Sequence, residues 1–207
     1  MKYQPIFSDF RAKVQWFVNN FLARPYFWLF TGGVKIINRD KIPDWKQNYI
    51  IVSNHLSYKE PVLFYVALGH RISCVAKKEL FDTPIMGPYL RMISTIPVDR
   101  QNFKSSTIKL ARKLLSQPFW KLGIFIEGTR SKVKGQLSQP FSGVMFIAKV
   151  SKVPILPLGI KYEGKKPIIT VGDLYYPDAS QSLDEQTWDC LQKISDLSGL
   201  KMPPQYE

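Results

Sequence analysis

The stretch Tyr49-Ile50-Ile51-Val52-Ser53-Asn54-His55-Leu56-Ser57-Tyr58-Lys59-Glu60-Pro61 reads as a strand that runs out into a helix. Its first residues are aromatic and β-branched, as a strand favours, and the polar residues after Val52 mark where it stops. A helix is expected over Ser57–Leu68. The same alternation continues on both sides, with strands expected at Val34–Ile37, Ile72–Ala76, Thr95–Val98, Leu122–Ile126, Ile155–Ile160 and Ile168–Val171. Ser105–Leu115 carries Ile108, Leu110, Ala111, Leu114 and Leu115 at helical spacing. Further helices are expected at Phe141–Val150 and Leu183–Leu197, and Glu79–Met92 in pieces because Pro84 and Gly87-Pro88 interrupt it. This order predicts an α/β fold: a single domain over residues 34–207 with a mixed, largely parallel sheet flanked by helices.

A histidine at a strand end stands where α/β sheets bind their ligands. Its ordinary pKa suits proton removal near neutrality, and a carboxylate on the other ring nitrogen would fix the tautomer. Glu60 could supply that carboxylate, but five residues apart the two would occupy different faces of one continuous helix. The pair forms only if His55 precedes the helix. Ser57-x-x-Glu60 also fits a capping box, in which Glu60 returns to the helix N-cap amide. On these residues alone the cap is the simpler account of Glu60.

The 207 residues are 45% hydrophobic and 22% charged, which suits one compact domain and excludes disorder over the whole length. Lys and Arg number 29 against 16 Asp and Glu, a net charge of +13 that implies a polyanionic partner. Residues 101–166 hold 13 basic groups and only two acids. Within them lies Phe125-Ile126-Glu127-Gly128-Thr129-Arg130-Ser131, again at a strand end. Gly128 permits a tight turn, and Arg130 offers a planar fork matched to phosphate. Glu127 could accept a hydrogen bond from a substrate hydroxyl; the plainer alternative is a surface turn with one ion pair. Cys74, Cys190 and two histidines make neither a disulfide framework nor a metal-ligand cluster, so packed, reduced thiols are expected. Gly159–Lys166 has P-loop spacing, but Lys replaces the magnesium-binding Ser or Thr and Pro167 follows. A hairpin turn is expected there.

Met1–Arg11 lacks the apolar run of a signal peptide. The uncharged runs 14–23 and 25–34, parted by Arg24, are each too short to span a bilayer, and Pro25 is expected to interrupt a continuous helix. Residues 1–33 therefore read as a pair of short aromatic helices lying in a membrane interface, with Lys13, Arg24 and Lys35 near lipid phosphates. Otherwise the aromatics would cover the core of the main domain.

Four blocks carry a resemblance: His55-x4-Glu60, Ile96-Pro97-Val98-Asp99-Arg100, Glu127-Gly128-Thr129-Arg130-Ser131 and Val153-Pro154-Ile155-Leu156-Pro157-Leu158. In order and approximate spacing the chain resembles the glycerolipid acyltransferases, and among them the 1-acylglycerol-3-phosphate acyltransferases. The aromatic N-terminal pair resembles that family's membrane-docking helices. The resemblance implies acyl transfer from a thioester, acyl-CoA or acyl carrier protein as co-substrate, to lysophosphatidate, giving phosphatidate without a covalent enzyme intermediate or a resident cofactor. It implies His55 as general base oriented by Glu60, and Arg130 on the acceptor phosphate. Glu127, Gly128 and Thr129 would shape the acceptor site, with Arg100 and Lys77 as supporting cations. The Val153–Leu158 block would be core. The reading is of a peripheral or monotopic protein on the cytoplasmic face of an anionic membrane. No nucleic-acid partner is expected, because the charged segment has no recognised nucleic-acid motif and the aromatics concentrate elsewhere.

Two departures stand out. The family usually has Asp five residues after the histidine, where this chain has Glu60, one methylene longer. The family often follows the glutamate–arginine block with Phe-Lys-x-Gly, where this chain reads Phe141-Ser142-Gly143, leaving Lys132 and Lys134 as the nearby cations. The alternatives are acylation of another lyso-lipid, or a catalytically weak membrane-binding or scaffold protein of the same fold.

Overall fold

The computed structural model describes residues 3–69, 71–99, 105–117, 119–131 and 133–204. Seven strands form one sheet: β1 (Lys35–Ile37), β2 (Ile50–Ser53), β3 (Arg71–Lys77), β4 (Ile96–Val98), β5 (Trp120–Phe125), β6 (Ile155–Glu163) and β7 (Lys166–Val171). Their order across the sheet is β1-β7-β6-β2-β5-β3-β4. Every neighbouring pair is parallel except the β6–β7 hairpin. The sheet is thus mixed and mostly parallel, as the alternation of elements predicts. Its central strands are mostly apolar because both faces are covered.

Successive side chains along a strand point to opposite faces. Ile50, Val52, Leu122 and Ile155 pack under α5 (Ser105–Leu115), α6 (Gly143–Ser151) and α7 (Leu183–Ser198). Ile51, Ile72, Leu156 and Leu158 pack with Leu63 and Phe64 of α3 (Glu60–Leu68) and with Phe27. Ile155, Leu156 and Leu158 are completely buried, so the last motif block is core. Cys74 and Cys190 belong to opposite faces, both free and buried, and burial pushes each thiol up to about 12.

The P-loop-like segment is a hairpin. Gly164 makes its turn at φ +59, and a Cβ on Gly159 would come within 2.3 Å of the Leu197 backbone. Glycine there lets α7 lie directly on β6. The Glu79–Met92 region is in pieces, a 3₁₀ turn (Lys78–Asp82) followed by α4 (Met86–Met92).

At the N-terminus, α1 (Asp9–Val18) and α2 (Arg24–Thr31) are joined by a π turn (Asn19–Ala23) rather than by a break. The Arg24 amide donates to the carbonyl of Asn19, five residues back, and Pro25 falls in the first turn of α2, where a missing N–H costs little. The face turned to the domain is small and polar: Ala12, Gln15, Asn19 and Ala23, then Phe27. Gln15 Nε2 donates to the carbonyls of Ile72 and Ile93, and Asn19 Nδ2 to that of Tyr65. The aromatic face points out, with Trp16, Phe17, Phe21, Trp28 and Phe30 all more than half exposed. These rings do not cover the core. Among the described residues no helix is long and apolar enough to cross a membrane.

One lysine is fully buried. Lys121, near the start of β5, donates to the Trp45 carbonyl at 2.8 Å and lies 5.2 Å from the Tyr49 ring centroid. Desolvation lowers its pKa to about 8, against about 10.4 for an ordinary lysine. The unfolded chain therefore binds more protons between these values, and Lys121 makes stability rise as pH climbs from 8 towards 10. In Lys121→Met that increment should vanish, so the parent-minus-variant difference in urea midpoint should change between pH 7.5 and 9.5. A difference that stays constant would refute this account.

Candidate active site

β2 and β5 are adjacent, and the chain leaves them in opposite directions. After β2 it enters α3 on one face; after β5 it reaches α6 on the other. Such a divergence opens a crevice at the carboxyl ends of the strands. Because Ser53 is level with Phe125, the two motif loops emerge side by side.

Asn54 anchors the first loop. Fully buried, it donates Nδ2 to the Ile160 carbonyl and accepts the Ile160 N–H, each at 2.8 Å. Its amide continues the β2–β6 ladder while the main chain turns away to His55. The His55 Nδ1–H donates to Glu60 Oε2 at 2.6 Å, leaving Nε2 as the basic position. The imidazole lies flat on Phe125, with centroids 3.9 Å apart and planes 15° apart, and Phe125 stacks in turn on Phe64. Gly123 makes room for this column: a Cβ there would meet the Phe64 ring at 3.1 Å.

The helix begins at Glu60, not at Ser57. Lys59 is the N-cap, and the Ser57 hydroxyl accepts the Lys59 N–H instead of closing a capping box. The turn from Ser57 to Lys59 leaves His55 ahead of the helix, which is the condition its pairing requires. Glu60 is completely buried, and its longer side chain folds back so that Oε2 also accepts the Leu56 N–H at 2.8 Å. The Tyr162 hydroxyl donates to Oε1 at 3.3 Å. Burial, and then the charge of Glu60, raise the Tyr162 pKa, so this hydroxyl stays protonated as a donor. A buried carboxylate with three donors is compensated without a counter-cation.

Glu127 is nearly as buried, and its oxygens accept from the His55 N–H at 2.9 Å, the Ser131 hydroxyl at 2.7 Å and the Ser138 N–H at 2.7 Å. The Ser131 N–H donates to the His55 carbonyl at 2.7 Å. This carboxylate, which could have met a substrate hydroxyl, clasps the two loops together. Gly128 turns at φ +62, a conformation that favours glycine. Thr129 follows in the turn, and Arg130 stands exposed with its guanidinium 3.9 Å above the Tyr58 ring centroid. Arg130 has no ion pair among the described residues.

His55, Glu60, Glu127, Gly128, Thr129 and Arg130 thus share one crevice. Lys77, at the end of β3, is half exposed and 3.7 Å from Glu79. The block after β4 places Asp99 on Lys78 at 2.5 Å. Arg100 and Lys132 lie outside the described residues. Asn54, Tyr58, Phe125, Ser138 and Tyr162 also build the site, although sequence reasoning gave none of them a role. Asn54 and Tyr58 sat inside the quoted stretch, whereas Tyr162, 102 residues from Glu60, left no local signal.

Sheet order, switch point and histidine–carboxylate pair define an α/β domain built around one polar crevice. The acyltransferase family model matches residues 33–161, and the chain belongs to that family. It is similar to the 1-acyl-sn-glycerol-3-phosphate acyltransferase of Streptococcus pneumoniae, 35% identical over 134 residues that cover 63% of this chain and 48% of that protein. The Bacillus subtilis protein of the same name is 34% identical over 64% of each chain. The chain spans about half to two thirds of the length of these relatives. The crystal structure of the 1-acyl-sn-glycerophosphate (LPA) acyltransferase PlsC from Thermotoga maritima shares the fold, with a TM-score of 0.70 at 22% identity, covering 90% of this chain and 79% of that one.

Proposed function

We propose that this protein transfers a fatty acyl group from a thioester donor to the free hydroxyl of lysophosphatidate, giving phosphatidate at a membrane surface. The observation that carries the reading is the 2.6 Å bond from His55 Nδ1 to the buried Glu60, which orients Nε2 as a base. Nε2 removes the acceptor hydroxyl proton as the oxygen attacks the thioester carbonyl. The tetrahedral intermediate then expels the thiolate, which takes the proton back from the imidazolium. The ester bond forms, the thioester bond breaks, and no enzyme group is acylated. Glu60 stabilises the imidazolium between these steps. The scheme needs no resident cofactor.

Arg130, without an ion pair among the described residues and with its guanidinium 3.9 Å from the Tyr58 ring centroid, presents its donors to the acceptor phosphate. With acyl-CoA or acyl carrier protein and a panel of lyso-lipids, the parent protein should turn over lysophosphatidate best. Arg130→Ala should raise KM for lysophosphatidate about 10-fold or more while leaving a neutral monoacylglycerol unaffected, consistent with loss of a charge-assisted contact. Equal loss on both acceptors would remove Arg130 from the phosphate site, and no turnover with any pair would leave the scaffold reading standing.

The outward rings of α1 and α2 support docking in the interface of an anionic membrane, peripheral or monotopic, with the cytoplasmic leaflet as the proposed surface. Trp28 is 75% exposed, so Trp28→Ser with Phe30→Ser should not disturb folding. Flotation with anionic vesicles should be largely lost in this double variant; unchanged flotation would refute docking through these helices.

A further inference from the structure

Glu60 is one methylene longer than the aspartate usual in the family, and its second oxygen reaches a residue outside every motif block. Oε2 takes the His55 Nδ1–H and the Leu56 N–H, while Oε1 accepts from the Tyr162 hydroxyl at 3.3 Å. The fold puts that hydroxyl there by an overhang. β2 and β6 are in register only as far as Ser53 and Leu158, so residues 159–163 run on past the end of β2, beside the His55 loop. β7 supports the overhang, with Pro167 level with Tyr162. Asn54 fastens it to the loop through both main-chain groups of Ile160. Alternate residues share a face, so Tyr162 follows Ile160 to the side of α3, where both pack in the cluster of Leu63 and Phe64. Lys161 and Glu163 face the other way and pair with each other at 3.9 Å.

A buried carboxylate keeps its charge only while donors replace the water it has lost. The extra methylene carries the carboxyl group of Glu60 about 1.5 Å further from the start of α3. With Oε2 held by His55 and Leu56, that length leaves Oε1 within reach of the overhanging hairpin. An aspartate held on the same two donors would draw back from Tyr162, whose bond at 3.3 Å has little slack. The other ionisable groups around the pair among the described residues are engaged elsewhere. Lys59 lies 5.3 Å from the Tyr26 ring centroid, Glu127 holds the two loops, and Arg130 sits over Tyr58.

We propose that Tyr162 is a positioning residue matched to Glu60: its hydroxyl fixes Oε1, so that Oε2 stays on His55 Nδ1 and Nε2 stays aimed at the acceptor hydroxyl. The proposal rests on the acyltransfer reading and adds a residue of β6 to it. Tyr162→Phe keeps the ring in its cluster and removes only the donor. With lysophosphatidate and a thioester donor, kcat should fall about 10-fold while both KM values change less than about twofold. The acid limb of kcat/KM against pH should move to higher pH, because a carboxylate that loses a donor favours the protonated pair. In a Glu60→Asp background the same change should alter kcat less than about twofold. A loss expressed in KM, an acid limb that does not move, or equal effects on both backgrounds would overturn it. A lower urea midpoint with unchanged kinetics would overturn it too, leaving a structural role alone. If the parent protein turns over no donor and acceptor, acyltransfer itself fails and proton NMR of the His55 Nδ1–H, assigned by its loss in His55→Ala, decides. Weakening of that signal by faster exchange in Tyr162→Phe upholds the positioning, and an unchanged signal overturns it.

Discussion

His55→Ala should lower kcat by about 10²–10⁴-fold while leaving KM for both substrates nearly unchanged, because a positioned base acts in the transition state. Glu60→Gln should fall in the same range for a different reason. A carboxylate only accepts, so it holds the proton on Nδ1 and leaves Nε2 free; an amide can instead donate to Nδ1 and drive the proton to Nε2, where it abolishes the base. The amide also fails to stabilise the imidazolium. The two variants should therefore be non-additive, with the double variant no worse than His55→Ala. Single-turnover measurements with a saturating thioester donor would check this. Activity retained in His55→Ala would sink the mechanism, and full additivity would show that Glu60 acts independently of His55.

Glu127→Ala should be the most destabilising change in the crevice, lowering unfolding free energy by about 3–5 kcal/mol, because it strands three donors in a buried setting. Those donors are the His55 N–H, the Ser131 hydroxyl and the Ser138 N–H, so the cost falls on both loops at once. Activity should fall with it, since the His55 N–H loses its tie to the β5 loop and only the Ser131 contacts to the His55 carbonyl remain. Glu127→Gln keeps one carbonyl oxygen and should lie between. Urea unfolding read beside steady-state kinetics separates this positioning role from direct substrate contact. If Glu127→Gln raises KM for the acceptor at unchanged stability, the glutamate meets the substrate instead.

How much of this was legible in the chain varies by element. α5 falls at Ser105–Leu115, as its apolar spacing predicts, because one face of a surface helix must be buried. The strand positions follow from apolar runs that only a doubly covered sheet can hide. The π turn before Pro25 was not legible: its spacing depends on how Gln15 and Asn19 reach carbonyls of the domain, not on a local pattern. The outward display of Trp16, Phe17 and Trp28 was one of two readings that the sequence left open, since an aromatic helix can cover a core or face a bilayer. What decided it was that small and polar side chains fit against the domain.

The sequence by itself determined the α/β alternation, the two loops that carry chemistry and the excess positive charge, because each is written in neighbouring residues. Only the tertiary structure decided what the carboxylates do. Ser57-x-x-Glu60 satisfied a local rule, yet Glu60 turns back to His55, Leu56 and Tyr162. Glu127, read from the sequence as a group that could meet a substrate hydroxyl, accepts hydrogen bonds from both loops. A buried carboxylate must find donors wherever the fold brings them. Some donors lie close by in the loops, but Tyr162 of β6 is 102 residues from Glu60 and the His55 N–H is 72 residues from Glu127.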